Sequence, residues 1–161
     1  MKVFRKSHTP LTQEDITQWL REMRDTPYVA ASGFAVTCVF RAKIGDDDSY
    51  YFTGVNVENP DHRLATHGEE GGIAAIATAL GKKAEIVEGW VMGAPKDLKV
   101  GDDSFLANNC VSCCGKCRQQ IAGLAAPSVA IHSISLNGAI KKPLSATFCL
   151  TPLHLDILHL N

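Results

Sequence analysis

Four of the six cysteines lie between positions 110 and 117, and they are the residues of this chain best suited to chemistry. Thiols crowded into one short segment do not suit a disulfide framework, which spreads its cysteines along a domain. Cys114 and Cys117 form a Cys-x-x-Cys pair at the start of a predicted helix, where free N–H groups and the helix dipole lower the pKa of a thiol. Alone, this pair is compatible with a structural metal site, a dithiol redox centre or a chance arrangement in a cysteine-rich loop.

A second motif, His67-Gly68-Glu69, lies at the start of another predicted helix, 47 residues before Cys114. One imidazole and two thiolates are good zinc ligands, and a zinc site with three protein ligands leaves a fourth position for water. Glu69 can lie beside that water without binding the metal, take its proton and deliver it elsewhere. The two motifs together predict a hydrolytic zinc centre.

The order and spacing of these motifs resemble the cytidine deaminase family, and the zinc deaminase signature is His-x-Glu followed by Pro-Cys-x-x-Cys. The resemblance extends over residues 27–155. The segments that carry it are residues 32–36 (SGFAV), 54–59 (GVNVEN), 67–69 (HGE), 111–119 (VSCCGKCRQ) and 150–153 (LTPL). It implies a three-layer α/β/α sandwich with a mixed central sheet over residues 25–161. Residues 1–24 would form an N-terminal extension with a helix.

By this resemblance, the cofactor is Zn²⁺, its ligands are His67, Cys114 and Cys117, and Glu69 is the proton shuttle. Water activated at the metal would attack C4 of the cytosine ring, while Glu69 would protonate N3 first and the departing amine later. The backbone N–H of Gly68 matches a family position that contacts the pyrimidine carbonyl. The implied function is hydrolytic deamination of cytidine or deoxycytidine to uridine or deoxyuridine in pyrimidine salvage, by a homodimer or homotetramer.

Asn56 and Glu58 alternate with valines in a predicted strand, so their side chains share one face. The resemblance implies that this pair binds the ribose hydroxyls and that Phe34 packs near the base. A carboxylate at this place repels a 5′-phosphate, which favours a free nucleoside over a nucleotide or a polynucleotide. From the pattern alone, the pair is also compatible with a solvent-facing polar edge, and Phe34 with a core position.

Cys113 stands where the family usually has a proline before the first cysteine ligand, and it places a third thiol next to the metal. The ligand assignment could therefore slip by one residue, but Cys114 keeps the two-residue gap to Cys117 and Cys113 does not. Cys110 is expected to be a loop thiol, with a ligand role as the alternative.

Glu70 follows the predicted proton shuttle at a position where many small relatives carry an arginine. In those relatives a cysteine replaces His67, and the arginine offsets the charge of the third thiolate. A neutral imidazole removes that charge, so the zinc centre should stay electrophilic without the arginine. Leu155 occupies the place of a family aromatic near a subunit interface, which leaves the oligomeric contact at this end open.

Sequence patterns place these residues on alternating strands and helices, an order that favours a layered α/β domain. Apolar residues at three- and four-residue spacing after the Thr12 cap predict a first helix over residues 12–24 that packs on a sheet. The other predicted elements are a hairpin of strands 34–41 and 50–57 joined by an acidic turn, helix 69–80 ending at Gly81, strand 86–92, helix 115–122 and strand 128–135. Residues 144–161 are expected to form a capping strand or a short helix.

Composition excludes several classes of protein. A chain of 161 residues, 45% hydrophobic and 20% charged with a formal charge of -1, has the composition of one soluble globular domain. The balanced charge disfavours a non-specific nucleic-acid binder, and no apolar stretch approaches the roughly 20 residues of a membrane span. The start of the chain has no apolar stretch typical of a secretory signal, so a cytoplasmic location is expected. Cys38 and Cys149 lie in apolar surroundings and are expected to be buried hydrophobes.

Three alternatives to cytidine deamination follow from the same residues. The substitutions at Cys113, Glu70 and Leu155 are compatible with a deaminase of another aminated heterocycle, such as a nucleoside antibiotic or a modified base. A non-catalytic zinc or redox module would explain the cysteines but not the position of residues 67–69. Polynucleotide editing is disfavoured by the near-neutral charge, although a local basic groove would not show in the total.

Overall fold

The computed structural model describes residues 3–145, in which six strands form one mixed sheet. The strands are β1 (Phe4–Lys6), β2 (Phe34–Ile44), β3 (Asp47–Val55), β4 (Ala84–Pro95), β5 (Ala125–Ile134) and β6 (Ile140–Ser145). Their order across the sheet is β1-β3-β2-β4-β5-β6. Strands β4 and β5 are parallel, and the other neighbouring pairs are antiparallel. The predicted mixed central sheet is therefore confirmed.

Within the same residues the α-helices are α1 (Gln13–Glu22), α2 (Gly68–Leu80), α3 (Phe105–Asn108) and α4 (Gly115–Ala122). Helix α1 begins with a capping box, in which the Asp15 N–H donates to the Thr12 hydroxyl and the Thr12 N–H donates to the Asp15 carboxylate. Helix α2 ends at Gly81, whose φ of 73° lies in the left-handed region that favours glycine. Both helix ends follow the residues that predict them.

The helices cover both faces of the sheet. Successive residues of a strand point to opposite faces, and in β2 the side chain of Val39 packs in a cluster with Trp19 of α1. The next side chain, Phe40, packs in a second cluster with Ile76 of α2 and Ile121 of α4. Helix α1 therefore lies on one face, and α2 and α4 lie on the other. This is the three-layer α/β/α sandwich that the sequence predicts.

Residues 3–24 contribute to both the sheet and the core. Phe4 of β1 pairs with Phe52 of β3, and the buried side chains of Ile16 and Trp19 pack against the sheet. The Arg5 guanidinium lies 4.0 Å above the centre of the Trp19 ring, within the range of a cation–π interaction. Helix α1 thus packs on the sheet as expected. The division of the chain into an extension and a catalytic domain stays a prediction.

Several elements differ in length from their predictions, among them β2 (Phe34–Ile44) and β4 (Ala84–Pro95), which extend beyond the predicted 34–41 and 86–92. Helix α1 gives way to a 3₁₀ turn over Met23–Asp25, whereas the pattern predicts a helix to residue 24. The turn between β2 and β3 is shorter than predicted, because Asp47 already pairs with Ile44 and its carboxylate binds Lys6 at 3.1 Å. Strand β3 ends at Val55, so Asn56 and Glu58 follow the strand instead of lying within it.

The predictions for the end of the chain fall outside the described residues. They concern Cys149, the family-like segment 150–153, Leu155 and the part of the capping element that follows Ser145. The described part of the capping element includes the end of β6, which pairs with β5 at one edge of the sheet. No helix in residues 3–145 is long and apolar enough to cross a membrane.

The start of α2 lies unusually close to β3. A Cβ atom at Gly54 would lie 2.2 Å from the Gly68 carbonyl oxygen and 2.2 Å from the Gly72 nitrogen. A Cβ atom at Gly72 would lie 2.8 Å from the ring of the buried Phe40. Since side-chain atoms do not fit at such distances, main chain packs directly on main chain at Gly54, and the Gly72 main chain packs directly on the Phe40 ring. This contact fixes the position of the α2 N-terminus relative to the sheet, and it explains why a helix that packs well contains Gly72.

Candidate metal centre

Three predicted ligands meet where α2 and α4 begin. His67 is the N-cap residue of α2, Cys114 is the N-cap residue of α4, and Cys117 lies in the first turn of α4. The Nδ1 atom of His67 lies 3.5 Å from the Sγ atom of Cys114 and 3.3 Å from that of Cys117. Across residues 3–145, these side chains are the cluster whose ligand atoms, all within 4.8 Å of one another, could hold a metal ion.

The geometry and chemistry of this cluster fit zinc. Zn–S bonds of about 2.3 Å and Zn–N bonds of about 2.1 Å at tetrahedral angles place two ligand atoms about 3.6 Å apart. The two N···S distances of 3.5 and 3.3 Å are close to that value. One imidazole and two thiolates are donors that zinc prefers, and three protein ligands leave a coordination position for water or substrate. His67, Cys114 and Cys117 can therefore hold a zinc ion.

The other described cysteines have different surroundings. Cys113 is 6% exposed and packs in the core cluster on the α2 and α4 face. The thiol of Cys110 donates to a main-chain carbonyl oxygen at 3.3 Å. Neither belongs to the ligand cluster, so the geometry favours Cys114 over Cys113 as the first cysteine ligand. Cys38 is buried as predicted, and its thiol donates to the Gly68 carbonyl oxygen at 3.2 Å.

Glu69 lies in the first turn of α2 and is 4% exposed. It lines a cavity of about 260 Å³ beside His67 and Cys114. The remaining lining residues are Val36, Asn56, Glu58, His62, Ala65, Thr66, Gly68, Val91, Val111 and Ser112. The buried Glu69 thus lies at the cavity wall, and its carboxylate interacts with the thiol of the ligand Cys117 without belonging to the ligand cluster.

The Cys117 thiol departs from the expectation for a helix start. Burial, followed by the negative charge of Glu69, raises the pKa of Cys117. The sequence pattern predicts a lowered pKa, but removal of the thiol from water has the larger effect. A divalent cation bound to the sulfur acts in the opposite direction, because it favours the thiolate.

Glu70 connects the two helix starts that carry the ligands. One carboxylate oxygen accepts the His67 backbone N–H at 2.7 Å. The other accepts the Lys116 ammonium at 2.8 Å and the Gln120 amide at 2.9 Å. Although partial burial raises the pKa of Glu70, the hydrogen bonds from His67, Lys116 and Gln120 outweigh it, and the pKa lies below its usual value. Glu70 is therefore a charged acceptor bound from both helices.

Asn56 lines the cavity, and its amide is bound to the backbone of β2. Its Oδ1 atom accepts the Val36 N–H at 2.8 Å, and its Nδ2 atom donates to the Phe34 carbonyl oxygen at 3.0 Å. An amide oxygen has a second lone pair and an amide nitrogen a second N–H, so one site on each atom is left for a ligand. Asn56 therefore positions the start of β2 and also faces the cavity.

Glu58 lines the same cavity and supports the loop that precedes β2. Its Oε2 atom accepts the backbone N–H groups of Ala31 and Ser32 at 2.8 and 3.1 Å. Hydrogen bonds from Ser32, followed by that from Ala31, hold the pKa of Glu58 below its usual value. Phe34 is not among the residues that line the cavity, and its ring lies against Gly93 instead. The structure thus brings Asn56 and Glu58 to the metal centre but not Phe34.

Three further cavity residues, His62, Ala65 and Thr66, have no pattern that predicts a site. They belong to the segment between β3 and α2, which contains only a 3₁₀ turn over His62–Leu64 and isolated bridges. Such a segment has no regular period that would align side chains on one face. The signal that could have indicated these three residues is their position in the sequence shortly before His67.

A family comparison agrees with this geometry. A sequence profile described as "Cytidine and deoxycytidylate deaminase zinc-binding region" matches residues 11–133, which is most of the chain. The matched range contains all the residues that form the cavity and the metal centre. No protein with a curated description matches the chain significantly in sequence.

Solved structures with a similar fold include three cytidine deaminases. The enzyme from Burkholderia pseudomallei has 20% identity and a TM-score of 0.67, with 87% of this chain and 97% of that chain covered. The Mycobacterium leprae enzyme has 22% identity and a TM-score of 0.60, with 83% and 94% covered. The Mycobacterium tuberculosis enzyme has 20% identity and a TM-score of 0.59, with 76% and 85% covered. These similarities establish the fold, and the profile match establishes that the chain belongs to the cytidine and deoxycytidylate deaminase zinc-binding family.

Proposed function

We propose that this protein is a zinc-dependent deaminase that hydrolyses cytidine or deoxycytidine to uridine or deoxyuridine. The observation that carries the proposal is the convergence of His67, Cys114 and Cys117 beside the buried carboxylate of Glu69, at the wall of one cavity. Two polar side chains that suit a sugar, Asn56 and Glu58, line the same cavity. Metal ligands, a proton carrier and polar binding groups are thus available at one place.

Zinc held by the three ligands would lower the pKa of a bound water toward about 7 and so supply a nucleophile at neutral pH. Glu69 would take up the proton that this water loses, since it lines the cavity beside the ligands and its carboxylate interacts with the Cys117 thiol. Glu69 would pass this proton to N3 as the water oxygen bonds to C4. It would then take the proton of the new C4 hydroxyl and pass it to the exocyclic nitrogen, so that the C4–N bond breaks and ammonia leaves. The Gly68 N–H would donate to the pyrimidine carbonyl at the same wall.

The charge of Glu58 favours a nucleoside over its 5′-phosphate. Glu58 is held through Oε2, so Oε1 can accept a hydrogen bond from a sugar hydroxyl. The hydrogen bonds that lower its pKa keep the carboxylate charged at neutral pH, and this charge repels a phosphate. Phe34 does not line this cavity, so its packing near the base stays a prediction. A free nucleoside substrate would place the reaction in pyrimidine salvage, and the cytoplasmic location and the homodimer or homotetramer stay predictions.

A second candidate is a deaminase of a larger aminated heterocycle or a substituted nucleoside. An apolar pocket of about 220 Å³ adjoins the first cavity at Glu58, which lines both. Its other lining residues are Tyr28, Ala30, Ala31, Asn59 and Pro60. This pocket gives room for an apolar substituent beyond the sugar position. Ammonia release from a panel of amino-pyrimidine and amino-purine nucleosides, with and without such substituents, separates the two candidates.

The proposal is tested by ultraviolet-monitored turnover of cytidine in the zinc-loaded protein and its Glu69→Gln and Glu69→Ala variants. General acid–base catalysis contributes about 10²–10⁴-fold, so we expect kcat to fall by that factor in both variants. Glu85→Gln is the matched control, because Glu85 pairs with Lys43 on the sheet at 3.0 Å and should leave kcat unchanged. Undiminished turnover in Glu69→Ala would refute the assigned role.

The role of Glu58 is tested with cytidine and its 5′-monophosphate as paired substrates. In Glu58→Gln we expect KM for cytidine to rise more than kcat falls, because a sugar contact is made in the ground state and the transition state alike. The preference for cytidine over the monophosphate should shrink, because the repulsive charge is gone. An unchanged preference would show that another group excludes the phosphate.

A further inference from the structure

The carboxylate of Glu70 is bound by more groups than a helix start requires. In a capping box, the third helical residue needs only to accept the N–H of the N-cap residue, here His67. Glu70 also binds Lys116 and Gln120 of α4, at 2.8 and 2.9 Å, and its side chain is 16% exposed. We define this set, Glu70 with the His67 N–H, Lys116 and Gln120, as the Glu70 bridge.

The Glu70 bridge joins the two turns on which the metal ligands lie. His67 belongs to the start of α2, whereas Cys114 and Cys117 belong to the start of α4. The ligand cluster therefore exists only while the two helix starts keep their separation. Lys116 lies between the two cysteines in the sequence, so its ion pair with Glu70 holds the Cys-x-x-Cys turn itself.

The bridge also restrains the backbone of the imidazole ligand. The 2.7 Å hydrogen bond from the His67 N–H fixes the peptide from which the imidazole extends toward the sulfur atoms. Groups that orient metal ligands in this way raise metal affinity, since less ordering remains to be done when the ion binds. A partly buried carboxylate suits this task better than an exposed one, because its interactions are less weakened by water.

We propose that Glu70 is a positioning residue that sets the affinity of the site for zinc by holding the α2 and α4 helix starts in register. The inference rests on the zinc centre of the proposed function but not on the identity of the nucleoside. Glu70 acts through His67 and the cysteine turn and has no contact with the substrate in this role. Its removal should therefore weaken metal binding even when no substrate is present.

The test measures zinc affinity by competition with a chromophoric chelator, and ligand geometry by the visible spectrum of the cobalt(II)-substituted protein. Loss of such supporting groups typically lowers metal affinity about 10–100-fold, and we expect a loss in that range for Glu70→Ala. Glu70→Gln keeps an acceptor for the His67 N–H but loses the charge that binds Lys116, so its loss should be smaller. The cobalt spectrum of Glu70→Ala should shift, because the sulfur and nitrogen ligands are less well oriented.

Lys43→Met is the matched control, because it breaks an ion pair of 3.0 Å with Glu85 on the sheet and leaves the Glu70 bridge intact. Its zinc affinity and cobalt spectrum should equal those of the wild type. A folded Glu70→Ala protein with wild-type affinity and spectrum would overturn the inference.

A variant that avoids any folding defect at Glu70 combines Lys116→Met with Gln120→Ala. Both residues are exposed on α4, and the double variant removes the α4 side of the bridge without altering α2. We expect its zinc affinity to fall, and an unchanged affinity would overturn the inference even if Glu70→Ala does not fold. Failure to deaminate cytidine would contradict the proposed function and would leave these metal-binding results unaffected.

Discussion

Helices α1 and α2 cover opposite faces of the same sheet and pack on it in different ways. On the α1 face, large side chains fill the space between helix and sheet, among them Trp19, Leu20, Tyr51 and Trp90. On the α2 face, the helix start meets β3 through main-chain atoms, because Gly54 lies against the first turns of α2. Interlocking side chains can adjust to small shifts of a helix, whereas a contact between two backbones cannot. The face that holds the metal centre is thus the one with the less adjustable packing.

The two helices also use their N-cap residues differently. At α1, the Thr12 hydroxyl and the Asp15 carboxylate close a complete capping box, which serves the stability of the helix. At α2, the Glu70 carboxylate binds the His67 N–H in the same manner, but the imidazole lies next to the sulfur atoms of the cysteines. One capping pattern therefore serves stability alone in α1, and serves metal binding as well in α2.

The largest expected effect on the α1 face follows from Trp19→Ala. Trp19 is 1% exposed, and its ring also makes a cation–π contact with the Arg5 guanidinium. We therefore expect the free energy of unfolding to fall by about 3–5 kcal/mol. Zinc affinity should not change, because α1 lies on the face opposite the ligands. Urea unfolding measures the free energy of unfolding, and chelator competition measures the zinc affinity. A tenfold loss of zinc affinity in the folded variant would contradict the separation of the two faces.

Two adjacent glycines of α2 provide a sharper comparison. In Gly72→Ala the new Cβ would lie 2.8 Å from the Phe40 ring and 3.0 Å from the Cys38 sulfur, so we expect a loss of about 1–3 kcal/mol. In Gly71→Ala the nearest atoms lie at 3.5 Å, an ordinary contact, and alanine gains up to about 1 kcal/mol of helix propensity. Thermal unfolding of both variants measures the difference. Equal effects would show that α2 can shift on the sheet after all.

The smallest expected effect concerns the capping box of α1. Thr12→Ala removes the hydroxyl of the cap and should cost about 1 kcal/mol at neutral pH. Hydrogen bonds from Thr12 lower the pKa of Asp15 in the folded chain, so ionised Asp15 favours folding above its ordinary pKa of 3.8. This stabilising contribution is lost as the pH falls through the lowered pKa that Asp15 has in the folded chain.

The difference in melting temperature between wild type and Thr12→Ala should therefore be constant near neutral pH and shrink in the acid range. Melting curves at a series of pH values measure it. Asp15→Asn should show the same loss of pH dependence, because it cannot ionise. A difference that grows on acidification would show that the Thr12–Asp15 interaction does not stabilise the ionised carboxylate.

The helices whose starts bear the metal ligands are predictable from the sequence, because capping residues mark their ends. Helix α4 has the predicted bounds of 115–122, since Cys114 occupies its N-cap, and α2 begins only one residue earlier than predicted. The edge strand β1 has no such signal: it has three residues, of which Arg5 and Lys6 are polar, and its partner β3 lies more than forty residues away. Short edge strands depend on distant partners, which a local pattern does not contain.

The metal centre is predictable because its ligands belong to two local motifs, but the groups around it are not. Asn56 binds backbone groups of β2 that lie about 20 positions earlier in the sequence. Glu70 binds Lys116 and Gln120, which lie about 50 positions later. Residue type gives no indication of such partners. The sequence therefore indicates which side chains could bind zinc and a sugar, while the structure shows which of them also hold the backbone.

The contact between Gly54 and α2 has a practical consequence for changing the specificity of this protein. Any side chain at position 54 would displace the helix that bears His67, so libraries that aim at new substrates should leave this position unaltered. Ala65, Thr66 and Val111 line the cavity from irregular segments and are the better positions to randomise. Variation there would reshape the space around a bound ligand while the scaffold beneath the zinc ligands keeps its dimensions.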